Sequence, residues 1–322
     1  MKKKTFLVTG AAGFIGFNFS KKLLNEGHKV YGIDNFDKYY SIKLKYKRAR
    51  YLKKYKNFIF LKINIEEMDK LKKINIKKID HVFHFAAQAG VRYSAINPKK
   101  YINTNILGTI NVLKFIRDKK PKSTFFASSS SVYGDSKKFP LKENDNLKPK
   151  NIYATSKMIN ELSARSFSKN FNLNIYGLRF FTIYGDWGRP DMLLYKIFKS
   201  TMEKKYIELN NKGNHIRDFT YIDDVTNILY NLVFKKIKKK YDIFNICSNK
   251  PIHIGKMIKE IQNQNINLKV KMINKNKLDV FKTHGDNSKI LKLLKNFKFT
   301  KFNDVFKDSY KWYLKNNKNL IF

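Results

Sequence analysis

Thr5-Phe6-Leu7-Val8-Thr9-Gly10-Ala11-Ala12-Gly13-Phe14-Ile15-Gly16 runs from an apolar stretch into three spaced glycines. An amphipathic stretch, Phe14 to Asn25, follows. A short apolar run closed by glycine reads as a buried strand. The glycines allow a tight turn and let backbone N–H groups approach a bound group. The helix that follows turns the positive end of its dipole towards that turn, the arrangement that receives a pyrophosphate. Asp34 closes the next strand, Lys29 to Ile33. A carboxylate at that place accepts hydrogen bonds from an adenosine ribose and favours NAD over NADP.

Outward from this unit the alternation continues. Asn57 to Ile63, His81 to Phe85, Ser123 to Ala127 and Asn174 to Phe180 read as strands, and Asn103 to Lys119 and Tyr153 to Phe171 as helices. Strands alternating with helices give a parallel sheet covered on both faces, and right-handed crossovers make it a doubly wound α/β fold of the Rossmann type. After about residue 180 turn-formers cluster at Gly185-Asp186-Trp187-Gly188-Arg189-Pro190-Asp191, followed by a helix, Met192 to Glu203, a strand, a loop, Asn210 to Arg217, and a polar, mostly helical tail. Tyr241 to Asn245 is a further strand. The expected division is residues 1–180 for NAD, with a return of the chain near 218–248, and residues 181–322 as a smaller mixed α/β substrate domain. No repeat and no Gly/Ser-rich linker separates them.

Composition narrows the choice. A chain of 322 residues, 43% hydrophobic and 15% aromatic, has enough apolar material for a large core. Its single cysteine, Cys247, excludes an internal disulfide scaffold. No uninterrupted apolar run of about 18 residues predicts a membrane span. Lys2, Lys3 and Lys4 precede an apolar run, but glycines interrupt it and no small-residue cleavage site follows, so a cytoplasmic protein is expected. The net charge of +42 comes from lysines spread along the whole chain, and its densest run, Lys235 to Lys240, reads as a solvated end. That spread argues for compositional bias rather than nucleic-acid binding. No His/Cys/Asp/Glu cluster has metal-ligand spacing, and no metal is expected.

Two further segments carry chemistry. Ser128-Ser129-Ser130-Ser131 follows an apolar strand, and hydroxyls at the C-terminal end of a parallel strand face the ligand crevice. Tyr153-Ala154-Thr155-Ser156-Lys157 sets Tyr and Lys one helical turn apart on one face. An ammonium near a phenol is expected to lower its pKa, making Tyr153 an acid and base near neutral pH. The order of glycine turn, serine strand and Tyr-x-x-x-Lys is what makes the pattern specific.

With these motifs the chain resembles, over essentially its whole length, the extended short-chain dehydrogenase/reductase family of NAD-dependent sugar-nucleotide epimerases and dehydratases. His84-Phe85-Ala86-Ala87-Gln88 resembles the strand that lines the cofactor in that family, Arg179 to Gly185 the segment between nicotinamide and sugar, and Arg217 to Asp224 a late family motif. Ala86 to Ser94, Phe180-Phe181-Thr182, Trp187 to Met192, and Asp37 with Tyr39-Tyr40 are similar to the UDP-glucuronate 4-epimerases. The resemblance implies NAD contacts from Gly10, Gly13, Phe14, Ile15, Gly16, Asp34, Asn35, Asn64, Ile65, Phe85, Ala86, Ala87, Tyr153, Lys157 and Phe180. It implies catalysis by Ser129, Tyr153 and Lys157. It implies that Arg189, Thr182, Ser130 and Ser131 hold the sugar carboxylate, that Arg217 holds the diphosphate, and that Arg92 and Asp279 belong to the substrate site. Arg179 reads as structural.

The reaction implied is removal of hydride from C4′ and its return to the opposite face through a 4-keto sugar, with NAD regenerated and retained at each turnover. Dehydratases of the family carry Asp-Glu where this chain has Ser130-Ser131, and decarboxylating relatives carry an acid in the same loop. Hydroxyls cannot do that acid–base work near pH 7. Alternatives are a UDP-glucose or UDP-N-acetylhexosamine 4-epimerase, distinguished by Arg189 and Arg92, and a non-catalytic NAD-binding protein, opposed by the intact Ser129, Tyr153 and Lys157. Two departures stand out: Asn64 where the family often has Asp, and Leu278 where it usually has Gly before Asp279. The resemblance also implies a homodimer through the helix carrying Tyr153.

Overall fold

A computed structural model describes residues 2–263 and 266–320. Seven strands form one all-parallel sheet. They are β1 (Thr5–Thr9), β2 (Lys29–Asp34), β3 (Phe58–Lys62), β4 (His81–His84), β5 (Ser123–Ser129), β6 (Ile175–Phe180) and, after β7 (Thr182–Tyr184), β8 (Tyr206–Leu209) and β9 (Ile216–Tyr221), β10 (Tyr241–Ile246). The order across the sheet is β3-β2-β1-β4-β5-β6-β10. The chain winds outward from β1 to β3, then crosses back to lay β4 beside β1. Doubly wound sheets bind ligands at that switch, outside the carboxyl ends of the strands.

The central strands are apolar on both faces because both are covered. Alternation sends Phe6 and Val8 of β1 into one core and Leu7 into the other; Phe83 and Phe125 share the first core, Val82 and Phe126 the second. Phe83 and Phe125 stack at 4.7 Å between ring centres. The helix Phe14–Asn25 covers the first face together with the helix Ile222–Leu232. A separate core gathers Leu194, Phe198, Ile207, Phe219, Ile258, Phe306 and Tyr313. It underlies β9, which pairs with β7 on one side and with β11 (Pro251–His253) on the other, and β8, which pairs with β12 (Lys269–Met272).

Three differences from the sequence reading have physical causes. The span between β2 and β3 holds a helix, Ile42–Leu52, that periodicity did not reveal, because its buried side is Leu44, Lys45, Arg48, Ala49 and Leu52, two of them charged. The segment expected as one helix from Asn103 is π-helical over Ile102–Leu107 and α-helical only from Gly108. The tail, expected to be mostly helical, also contains β12, whose short alternating Lys-Val-Lys-Met run gains its pairing from β8. Among the described residues no helix is long and apolar enough to cross a membrane.

Candidate active site

A cavity of about 630 Å³ opens at the carboxyl ends of β1, β4, β5 and β6 and continues to the loops around β7 and β9. At one end lies the glycine turn. Gly10 has φ +72°, and a Cβ there would meet the Ala86 backbone nitrogen at 2.7 Å; a Cβ on Gly16 would lie 2.1 Å from the Gly10 carbonyl. These glycines therefore permit three backbone segments to close on one another. The helix Phe14–Asn25 begins at Gly13 with no side chain capping it, so its first N–H groups remain available at the cavity, as an anion requires. Gly10, Gly13, Phe14, Ile15, Gly16, Asp34 and Asn35 all line this end. Asp34 accepts hydrogen bonds from the Ala12 N–H at 3.0 Å and the Phe36 N–H at 2.8 Å. Burial pushes its carboxyl pKa up, and those two bonds and the charges of Lys45 and Arg48 oppose the shift.

Asn64, expected at the cofactor, follows β3. Ile63 and Ile65 line the cavity, with Asn64 between them just beyond the end of the strand. The Asn64 Oδ1 accepts from the Glu66 N–H at 3.3 Å and from Asn35 Nδ2 at 3.4 Å.

Phe85, Ala86 and Ala87 form the wall beyond β4. Buried His84 fixes this wall from behind. Its ring nitrogens bond the Thr9 hydroxyl at 2.7 Å and the Thr109 hydroxyl at 3.1 Å, and burial lowers its pKa to about 3. The Thr9 hydroxyl also accepts the Ala86 N–H at 3.2 Å. Asn105, in the π-helical turn, accepts the Gln88 N–H at 2.7 Å and donates to Gln88 O at 3.1 Å and Ser156 Oγ at 2.9 Å. It ties the wall to the helix Ile152–Phe171. Sequence reading missed Asn105, which stands beside Asn103 and Thr104 and carried no sign that set it apart from them.

Ser129 ends β5 and Ser130 and Ser131 open the next turn; Ser129 Oγ accepts the Ser131 N–H at 3.2 Å and lies 3.1 Å from Ser131 Oγ. Tyr153 and Lys157 stand in the first turns of the helix Ile152–Phe171, capped by Asn151, whose side chain accepts the Ala154 N–H at 2.9 Å. All five line the cavity, as does Phe180. The expected lysine–phenol partnership takes a different form. Lys157 Nζ donates to Ala127 O at 2.9 Å, and burial lowers its pKa to about 8. Burial raises the Tyr153 pKa, and the groups opposing that rise are the Ser129 hydroxyl and the charge of Arg189.

At the far end Thr182, Arg189, Arg92, Arg217, Leu278 and Asp279 line the wall. Arg189 donates through Nε to Asp191 Oδ1 at 3.0 Å and through Nη2 to Asp191 Oδ2 at 2.5 Å, and the Tyr39 hydroxyl donates to that Oδ2 at 3.3 Å. Arg92 pairs with Asp279 at 2.7 Å, joining two loops distant in sequence. Arg217 donates to Phe281 O at 3.0 Å and Val280 O at 2.8 Å, and burial lowers its pKa to about 10. His215, read from the sequence as a loop residue, is buried in this wall. Arg179 is structural as read, forked onto buried Glu161 at 2.9 and 2.8 Å. Among the described residues no group of three or more His, Cys, Asp or Glu is placed to hold a metal ion.

The sequence pattern of the NAD dependent epimerase/dehydratase family matches residues 6–247. The chain belongs to this family. Its cofactor is NAD, and the uncapped helix start, the glycine turn and Asp34 fit that cofactor. This epimerase-family chain is 40% identical over 296 residues to the UDP-glucuronate 4-epimerase of Thermodesulfobacterium geofontis, covering 90% of each chain. It superposes with TM-score 0.88 on the UDP-glucuronic acid 4-epimerase of Bacillus cereus in complex with UDP-glucuronic acid and NAD, at 29% identity, covering 97% of this chain and 99% of that one. It also superposes with TM-score 0.88 on the UDP-N-acetylglucosamine 4-epimerase of Methanobrevibacter ruminantium, at 26% identity, covering 98% and 99%.

Proposed function

We propose that this chain interconverts UDP-glucuronate and UDP-galacturonate by epimerisation at C4′. The observation that carries the reading is the position of Arg189. Arg189 lines the same cavity as Thr182, Ser130, Ser131 and Tyr153, and its charge opposes the burial-driven rise of the Tyr153 pKa. An arginine fork beside hydroxyls suits a carboxylate. NAD, when bound, supplies the hydride acceptor and donor. Gly10, Gly13, Phe14, Ile15 and Gly16 would hold its pyrophosphate, Asp34 and Asn35 its adenosine side, and Phe85, Ala86, Ala87, Phe180 and Lys157 its nicotinamide side. Tyr153 takes the 4′-hydroxyl proton and returns it after the sugar has turned, with Ser129 polarising the same oxygen. Arg217, Arg92 and Asp279 would hold the nucleotide and allow that turn. Ser130 and Ser131 leave the site without the acid–base pair that elimination would need. Arg189 and the hydroxyls hold the carboxylate of the β-keto acid out of the geometry that loses CO₂.

In this reading residues 1–180, with the return near 218–248, serve NAD, and residues 181–322 the sugar nucleotide. Ile152 and Leu162 on the Tyr153 helix, with Ile102 and Leu107 beside it, are exposed, which supports a homodimer through this face.

A second reading is a UDP-glucose or UDP-N-acetylhexosamine 4-epimerase, favoured by the fact that Arg189 already carries the Asp191 carboxylate. The deciding experiment is incubation of the purified protein with UDP-glucuronate and no added NAD, followed by proton NMR. Growth of UDP-galacturonate to a constant ratio is the expected result. Conversion of UDP-glucose or UDP-N-acetylglucosamine instead would overturn the uronate reading, and no conversion of any of the three would overturn the enzyme reading.

A further inference from the structure

Arg48 is fully buried within the helix Ile42–Leu52, and no carboxylate among the described residues bonds it. Its Nη1 donates to Ala12 O at 3.0 Å and to the Tyr40 hydroxyl at 2.9 Å; its Nη2 donates to Gly188 O at 3.0 Å and to Trp187 O. Its Nε has no hydrogen-bond partner among the described residues. Burying a guanidinium on carbonyls and one hydroxyl is costly, and apolar residues would serve simple packing better.

What those carbonyls belong to explains the arrangement. Ala12 lies in the glycine turn, and its N–H is bound by Asp34 Oδ2 at 3.0 Å. Trp187 and Gly188 immediately precede Arg189. Both are held in one conformation. Trp187 has φ +60° and packs its ring 4.9 Å from Phe17. The Gly188 N–H donates to the Tyr195 hydroxyl at 2.8 Å, and a Cβ on Gly188 would lie 2.2 Å from the Tyr195 ring. One planar group therefore spans the NAD end and the sugar end of the cavity, through the contact series Asp34, Ala12, Arg48, Gly188, Arg189. A lysine, with a single nitrogen, could not bond both sides in this fixed geometry.

We propose that Arg48 is a positioning residue that couples occupation of the NAD end to the setting of Arg189 at the sugar end. The inference rests on the reading of Arg189 as the residue facing the sugar. A shift of the glycine turn as the pyrophosphate seats moves the Ala12 carbonyl, and the guanidinium passes that shift to the two peptides before Arg189. Coupling between two ligands is reciprocal, so if seated NAD sets Arg189 to hold the sugar, a bound sugar tightens NAD by the same factor.

The test is the rate of NAD loss from purified holoenzyme, with released NAD destroyed by an added glycohydrolase. It is measured alone, with UDP, and with saturating UDP-glucuronate. In the unaltered protein UDP-glucuronate is expected to slow the loss at least fivefold, and UDP, which lacks the sugar, to slow it less. In Arg48→Lys the fivefold factor should fall below twofold while the NMR turnover assay shows a raised KM. A merely structural Arg48 would lower the melting temperature and leave the factor intact, and that result overturns the proposal, as does an unaltered protein with no factor. Should Arg48→Lys not fold, Tyr40→Phe, which removes one acceptor, is expected to lower the factor at least twofold, and an unchanged factor there also overturns it. If UDP-glucuronate neither binds nor turns over but UDP-glucose gives a factor that Arg48→Lys abolishes, the coupling stands and only the uronate reading fails.

Discussion

Lys157 spends its ammonium on the Ala127 carbonyl at 2.9 Å, with its nitrogen 6.0 Å from the centre of the Tyr153 ring. The charge that opposes the burial-driven rise of the Tyr153 pKa is that of Arg189, from a loop beyond β7. On the proposed reading, proton transfer by Tyr153 is tuned from the end assigned to the sugar, while Lys157 is fixed to the sheet. Tyr153→Phe should cut turnover by about 10² to 10⁴-fold, the usual worth of a positioned acid–base group. NAD content, measured by absorbance of the heat-released cofactor, should stay unchanged. Unchanged turnover would remove Tyr153 from the mechanism.

Lys157 gives a pH prediction with a definite sign. Its pKa in the folded chain, about 8, lies below the ordinary 10.5 because of burial. Below the lower value the lysine is charged in both states, and the folded state bears the desolvation cost. Between the two values the unfolded chain keeps a proton that the folded chain has released, so stability rises with pH through that window. Lys157→Met should therefore abolish turnover yet raise stability at pH 7, on the order of 1 kcal/mol after the lost Ala127 bond is counted. The rise from pH 8 to 10.5 should flatten. Thermal unfolding across that range reads both, and a variant less stable than the parent at pH 7 would refute the argument.

Asp34→Ala removes the acceptor for two N–H groups as well as the carboxylate facing the cavity. Each orphaned buried donor costs about 1–3 kcal/mol. The variant should lose most of its NAD on gel filtration and melt lower even when NAD is added in excess. Full NAD retention would refute the ribose contact proposed for Asp34.

The sheet was legible because its strands obey local rules. Phe6, Phe83 and Phe125 sit in apolar runs, and the glycine turn marks where the first run ends. The serine cluster and the Tyr-x-x-x-Lys spacing were legible for the same reason, since each is local. What escaped was set by contacts between distant segments. Arg48 stands in a lysine-rich stretch where a cation looks solvated, and only the fold brings Ala12 and Gly188 to it. Asp191 reads as a turn residue until Arg189 folds back onto it.

Glu161 and Arg179 form a buried ion pair that also receives the Ser128 hydroxyl, at 2.5 Å, one residue before Ser129. Removing one member of such a pair leaves an uncompensated buried charge, at a cost of about 3–5 kcal/mol. Glu161→Ala should therefore unfold at much lower urea than the parent. Glu161→Met combined with Arg179→Met should recover most of the loss. If the double variant is no better than the single, the pair is not the origin of the effect.

Arg189→Ala separates substrate recognition from chemistry. The guanidinium is expected to supply one or two charge-assisted hydrogen bonds to the sugar carboxylate, each worth about 1.5–3 kcal/mol, or about 10 to 100-fold in kcat/KM. A neutral hexose loses none of these, so UDP-glucose turnover should fall by less than tenfold. A second effect falls on both substrates. Arg189 opposes the rise of the Tyr153 pKa, so without it the phenol titrates higher and the rising limb of the rate profile should move to higher pH. Both limbs of the argument are read from kcat/KM against pH with each sugar nucleotide. Equal loss on both substrates would sink the carboxylate role, and an unmoved limb would show that Arg189 does not tune Tyr153.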